Sequence, residues 1–144
     1  MFACIVVGTD GSETADEAVD IAVSLARESG AELHIVNAYR TTVGAGHMAI
    51  GGAPIPGDDV LGAALGAEAS EQLLEDVAAR ATGLQVHIHS VNQAPPKAVL
   101  EVAGAVGADL IVVGNKGIAR RVFGSVPSAI AREAPCNVLI AKTT

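Results

Sequence analysis

Five runs rich in β-branched and aliphatic residues recur along the chain, "ACIVVGTD", "AELHIVNAY", "LQVHIHSV", "ADLIVVG" and "CNVLIAKTT", each parted from the next by a helix-length stretch. Runs of this kind, closed by glycine turns or polar residues, read as buried strands. The order β-α-β-α-β-α-β-α-β has no repeated module, which predicts an α/β fold: a doubly wound, five-stranded parallel sheet with right-handed crossovers and helices on both faces. Composition fits this. Half of the residues are hydrophobic but only 2% are aromatic, so the core is left to Val, Ile, Leu and Ala, as in a parallel sheet sandwiched by helices. A length of 144 residues fits one domain, 1–144, with a sizeable core.

The intervening stretches carry helical signals. "SETADEAVDIAVSLARESG" puts Ala15, Ala18, Val19, Ala22, Leu25 and Ala26 on one face. Thr14 and Glu17 have capping-box spacing and Ser12 is an equally good N-cap, while Gly30 sits where a C′ glycine would. "VLGAALGAEASEQLLEDVAARATG" is a second helix, with Gly62 and Gly66 weakening its first turns. "PPKAVLEVAGAVG" starts with prolines and ends at Gly107. A fourth helix begins near Ser125, with Pro127 in its first turn. From Arg40 to about Asp59, "TTVGAGHMAIGGAPIPGDD" has no period and reads as a long loop, a ligand lid or a disordered segment.

A formal net charge of -7 and a pI near 4.9 argue against nucleic-acid or anionic-membrane binding, which need a basic face. The apolar start meets Asp10 too early for a signal peptide, and the longest uncharged stretch is broken by glycines and prolines, so no membrane span is expected. The chain is expected to begin at Met1 and to be cytoplasmic, a setting that also suits Cys4 and Cys136, which form no CxxC motif. With the sheet in the order 3-2-1-4-5 these cysteines start strands about 10 Å apart and are expected as two buried thiols.

In a doubly wound sheet ligands sit beyond the carboxyl ends of strands where the winding reverses, here the first and fourth. Both end in glycine turns, "VVGTDGS" and "VVGNKG". Glycines allow runs of N–H groups to face one anion, and "GSVP" then opens a helix whose N-terminus favours phosphate. Lys116, Arg120 and Arg121 add counter-charge in an otherwise acidic chain. Asp10 beside a phosphate makes sense if it faces a sugar hydroxyl or a divalent metal such as Mg2+, and a nucleotide supplies both. The turns match neither GxGxxG nor GxxxxGK[ST].

These elements, with "GAELHIVNAY" and "APCNVLIAKTT", resemble the universal stress protein family over essentially the full length of the chain. The resemblance implies an adenine nucleotide alpha hydrolase-like sheet and an adenine nucleotide ligand, ATP foremost, with AMP or cyclic AMP as the alternatives. The nucleotide-binding branch is similar in having Gly-x-x-Gly, a spacer, then Gly-Ser. Carried over, this assigns Gly114, Gly117, Gly124 and Ser125 to phosphates and ribose, with Asn115, Lys116 and Val126 beside them. Gly8, Thr9 and Asp10 would line the first turn, with Asp10 at the ribose or a metal-bound phosphate, and the backbone at Ala38 would meet the adenine edge. The family's spacer is nine residues, whereas "IARRVF" has six, about 10 Å less extended chain and hence a tighter cradle. The resemblance also implies a homodimer through the last strand, an apolar edge that a charge or proline at Leu139 would disrupt. No downstream protein partner is named by the sequence.

Catalytic signals are sparse. No serine has a paired histidine and carboxylate in a recognisable motif, so the expectation is a stress-response or signalling binder, not an enzyme. The alternatives are slow nucleotide hydrolysis through an Asp10-held metal and a nucleotide-free dimer acting by protein contact. His87 and His89 share a strand face, but with no third ligand nearby in sequence they read as packed or surface residues. His34 and His47 show no ligand spacing.

Overall fold

The structure, a computed structural model, describes residues 1–40, 58–115 and 126–143, and only the backbone within 58–65. The chain runs β1 (Cys4–Gly8), α1 (Glu13–Ser29), β2 (Glu32–Tyr39), α2 (Asp58–Ala78), β3 (Val86–Asn92), α3 (Pro95–Val106), β4 (Leu110–Gly114), α4 (Val126–Glu133) and β5 (Asn137–Ala141). The strands form one five-stranded sheet in the order β3-β2-β1-β4-β5, and each neighbouring pair is parallel. This is the predicted doubly wound α/β sheet, with its reversal between β1 and β4.

Strand alternation divides the core between the two faces. Ile5, Val7, Leu33, Ile35 and Val112 pack with Ala18, Ala22 and Val23 of α1 and Leu74 of α2. Val6, Val36, Ile111 and Val113 pack on the other face with Val99 and Val102 of α3 and Ile130 of α4. The alanine face of α1 lets it lie close on the sheet, and its start is fixed by Ser12, whose Oγ accepts the Ala15 N–H at 3.2 Å. Of the caps that the sequence offered, Ser12 is therefore the one used. Gly30 and Gly107 end α1 and α3 in the left-handed conformation, φ 70° and 67°, as their positions predict.

One element departs from the sequence reading at both of its ends. The second helix starts at Asp58, inside the stretch read as loop, and runs through both Gly62 and Gly66. At Gly66 a Cβ would lie only 3.1 Å from Tyr39 Cδ2, so the missing side chain is what lets the helix approach the ring at the end of β2. The same helix stops at Ala78, before the Ala-Arg-Ala-Thr-Gly turn that follows. Arg80 in that turn reaches back to α1, pairing with Asp20 at 2.7 Å and Asp16 at 3.1 Å.

At the amino end of the sheet the Asp109 carboxylate accepts the N–H groups of Ala3 and Cys4 at 2.8 and 3.2 Å, tying the start of β4 to the start of β1. Cys4 is buried, whereas Cys136 is only partly so, since it lies in the turn ahead of β5; neither is in a disulfide. The lid segment, apart from its last residues in α2, lies outside the described residues. Among the described residues no helix is long and apolar enough to cross a membrane.

Candidate functional site

Beyond β1 the chain makes a tightly held turn. Thr9 N–H donates to the Val36 carbonyl at 2.9 Å, and the buried Asn37 amide donates to the Thr9 carbonyl at 2.8 Å, so β2 grips the turn from both sides. Within it, Gly11 N–H donates to Thr9 Oγ1 at 3.1 Å and Ser12 N–H to Asp10 Oδ1 at 2.9 Å. Gly11 has φ +82°, which closes the turn without the strain a side chain would bring. The outcome is an exposed Asp10 fixed just ahead of the α1 N-terminus. Its carboxylate orders the turn, while the helix cap itself is Ser12.

Beyond β4, Asn115 N–H donates to the Ala141 carbonyl at 2.9 Å, and its side-chain Oδ1 accepts both the N–H and the hydroxyl of Thr143 at 2.8 and 2.9 Å. The Asn115 side chain thus holds the tail that follows β5 beside the end of β4.

Between these turns lies a crevice of about 620 Å³, counted to its open mouth. Gly8, Thr9, Asp10, Ala38, Gly114 and Val126 line it together, from four places in the chain. Lys116, Gly117, Arg120, Arg121, Gly124 and Ser125 lie outside the described residues. The sequence reading missed the apolar wall, which comes from Val36, Val99, Val113 and Pro95. The one sequence signal for it is the Pro-Pro start of α3, which puts a rigid helix entry at the carboxyl end of β3.

The chemistry of the crevice is divided. Valine, alanine and proline side chains form an open slot suited to a flat apolar ring. The polar side is made by Thr9, Asp10 and Thr14. The first turns of α1, α3 and α4 all contribute lining residues, namely Thr14 and Ala15, Pro95, and Val126 and Pro127. Helix N-termini carry partial positive charge, so their convergence favours an anion, although Pro95, Pro96 and Pro127 offer no N–H and that of Ala15 is held by Ser12. Asp10 is the one ionisable side chain among the described lining residues, placed to receive a hydroxyl or a cation instead.

A second polar cluster occupies the opposite, amino end of the sheet. His34 on β2 lies in register with His87 on β3, and the rings stack with centroids 4.6 Å apart. His34 Nε2 meets Glu32 Oε1 at 3.1 Å, and His34 Nδ1 meets His89 Nε2 at 2.8 Å. His87 Nε2 lies 3.9 Å from Glu32 Oε2, and Gln85 Nε2 lies 3.3 Å from the same ring nitrogen. The hydrogen bond from His34 holds the Glu32 carboxyl below its ordinary pKa. Burial, with the other two imidazoles, lowers that of His89. Burial, then the neighbouring Glu32, pushes the Cys4 thiol up to about 11.

A family model described as the universal stress protein family matches residues 1–142. A universal stress protein of Mycobacterium tuberculosis is 36% identical over 149 residues, covering 99% of this chain and 98% of the relative. Another, from Bacillus subtilis, is 31% identical over 150 residues, covering 99% and 100%. Among solved structures, a universal stress protein in complex with cAMP superposes with a TM-score of 0.74 at 36% identity, over 99% of both chains. One from Burkholderia pseudomallei superposes with a TM-score of 0.73 at 26% identity, over 98% and 96%.

Proposed function

The chain belongs to the universal stress protein family, and from that premise we propose that it binds an adenine nucleotide in the β1/β4 crevice and acts as a non-catalytic stress-response or signalling module. The observation that carries the reading is the crevice itself: an apolar slot at the β1/β4 reversal, lined also by first-turn residues of three helices and by Asp10. Adenine meets Ala38 and the valine wall, and the ribose or a Mg2+ ion held by the phosphates meets Asp10. The turns after β4, through Gly114, Gly117, Gly124 and Ser125, carry the phosphates, with Lys116, Arg120 and Arg121 as counter-charge.

Two observations favour a mononucleotide over ATP as the preferred ligand. The spacer between Gly117 and Gly124 has six residues against the nine of the family's usual pattern, three fewer to wrap a triphosphate. The relative solved in complex with cAMP is 36% identical over 99% of both chains. We further read residues 1–144 as one domain, working as a homodimer through β5 in the reducing cytoplasm, where unpaired Cys4 and Cys136 are at home.

Isothermal titration with cyclic AMP, AMP and ATP, with and without magnesium, tests the proposal. The wild-type chain is expected to bind at least one of them saturably, and Ala38→Leu, which fills the slot, to weaken binding about tenfold or more, the loss of one good apolar contact surface. Thermal melting verifies that the variant folds. Absence of binding to all three nucleotides, or unchanged affinity in folded Ala38→Leu, overturns it. Affinity for ATP well above that for cyclic AMP reverses the ranking of ligands while keeping the site.

A further inference from the structure

We propose that Cys4, Glu32, His34 and His87 form a binding site for one zinc-class divalent transition ion at the amino end of the sheet, independent of the crevice. The four residues come from three adjacent strands and share the face on which α3 lies. β1 and β2 pair Cys4 with Glu32, and β2 and β3 pair His34 with His87, so strand register alone brings the donors together. This register is what the sequence could not show: His87 and His89 had no third ligand nearby in the chain, and the sheet supplies three.

The distances are those of a coordination set. One donor atom from each of Cys4, Glu32 and His34 lies within 4.8 Å of the other two. His34 Nε2 and Glu32 Oε1 are 3.1 Å apart, and Glu32 Oε2 is 3.9 Å from His87 Nε2. Ligands about 2.0–2.3 Å from a tetrahedral zinc are themselves about 3.3–3.8 Å apart, so the cluster needs only small side-chain movements to close on an ion. His87 lies outside that three-donor group: its ring stacks on His34 and its Nε2 faces the other Glu32 oxygen, so it joins as the fourth ligand by turning toward the ion.

Donor chemistry selects the ion. One sulfur, two imidazole nitrogens and one carboxylate oxygen suit zinc or its analogue cobalt and do not suit magnesium or calcium, which take oxygen ligands. Access is one-sided. Cys4 and His34 are buried at 6% and 5% exposure, while the Glu32 and His87 side chains are 33% and 44% exposed, so the ion enters past the latter pair. The outer partner is present as well, because His89 Nε2 touches His34 Nδ1 at 2.8 Å. A ligating imidazole donates its remaining N–H to such an acceptor, which fixes its tautomer.

Binding would proceed with balanced protons. Without metal, His34 Nε2–H donates to Glu32 and His89 Nε2–H to His34 Nδ1, a tautomer assignment that follows from the hydrogen-bond chain. With metal, His34 carries its proton on Nδ1 and donates to His89, which carries its own proton on Nδ1. Both rings stay neutral, and Cys4 gives its thiol proton to solvent as the sulfur binds.

The test uses the full chain, freed of any histidine tag, and titrates it with Co2+ and then Zn2+. The expected result is saturation at one equivalent, a tetrahedral cobalt spectrum with a sulfur-to-metal charge-transfer band, and displacement by Zn2+. Cys4→Ser should lose that band, and His87→Ala, a half-exposed position, should keep the fold and weaken affinity about tenfold or more. His89→Ala should keep the band but weaken binding about tenfold, as expected of a positioning residue. Nucleotide titration of the same variants should be unchanged. Failure of the folded wild type to bind either ion at one equivalent, or binding unaltered in both Cys4→Ser and His87→Ala, overturns the proposal.

Discussion

Asn37 shows how much one amide can hold. Its Nδ2 donates to the Thr9 carbonyl inside the protein, so the turn that presents Asp10 is anchored to β2 and not merely attached to β1. Asn37→Ala leaves that carbonyl without its side-chain donor. The expected cost is about 1–3 kcal/mol, the penalty for a buried polar group left unpaired, measured by urea denaturation. The variant should also weaken nucleotide binding, since Thr9 and Asp10 line the crevice. Unchanged stability would show that water replaces the amide freely. The polar edge of the site was legible in the sequence because Gly8, Thr9 and Asp10 stand in one glycine turn. Asn37 was not, since a polar residue in the middle of a strand carries no local sign of what it bonds across the sheet.

Elements were legible where period and chemistry agree. β1 and β4 are uninterrupted β-branched runs stopped by glycine, and their ends fall at Gly8 and Gly114. The start of α2 was read two residues late, at Val60, because Asp58 and Asp59 close the glycine- and proline-rich stretch as readily as they open a helix, and what the sequence did not show is the close approach of Gly66 to Tyr39. The valine wall of the crevice was hidden for another reason: Val36, Val99 and Val113 are indistinguishable from core residues until three elements meet. At the amino end of the sheet one residue joins two elements. The Asp109 carboxylate receives two N–H groups from the start of β1. Asp109→Ala should cost about 1.5–3 kcal/mol, the range for hydrogen bonds to a charged group, and should speed amide exchange at Ala3 and Cys4. Exchange unchanged at those two amides would show that the β1 start is held by its ladders alone.

At the scale of the whole molecule, the sheet has β3 and β5 as its two edges. β5 exposes Ile140 at 47%, whereas Leu139 packs against the α1 side of the core. Dimerisation through this edge is therefore better probed at Ile140 than at Leu139, where a charge would also disturb the fold. Ile140→Lys is expected to halve the mass in sedimentation velocity while retaining the melting transition; an unchanged mass would place the dimer contact elsewhere or remove it. β2 has a different standing, being laddered to β1 from Glu32 to Val36 and to β3 from Leu33 to Tyr39. Glu32 and His34 sit toward one end of it and Ala38 at the other, about 20 and 13 Å away at the usual strand rise. A strand so bound cannot slide or twist without breaking two ladders, so it is a poor carrier of signals between its ends. Substitutions that retune what the carboxyl end recognises therefore leave the amino end undisturbed, and the two can diverge along separate histories.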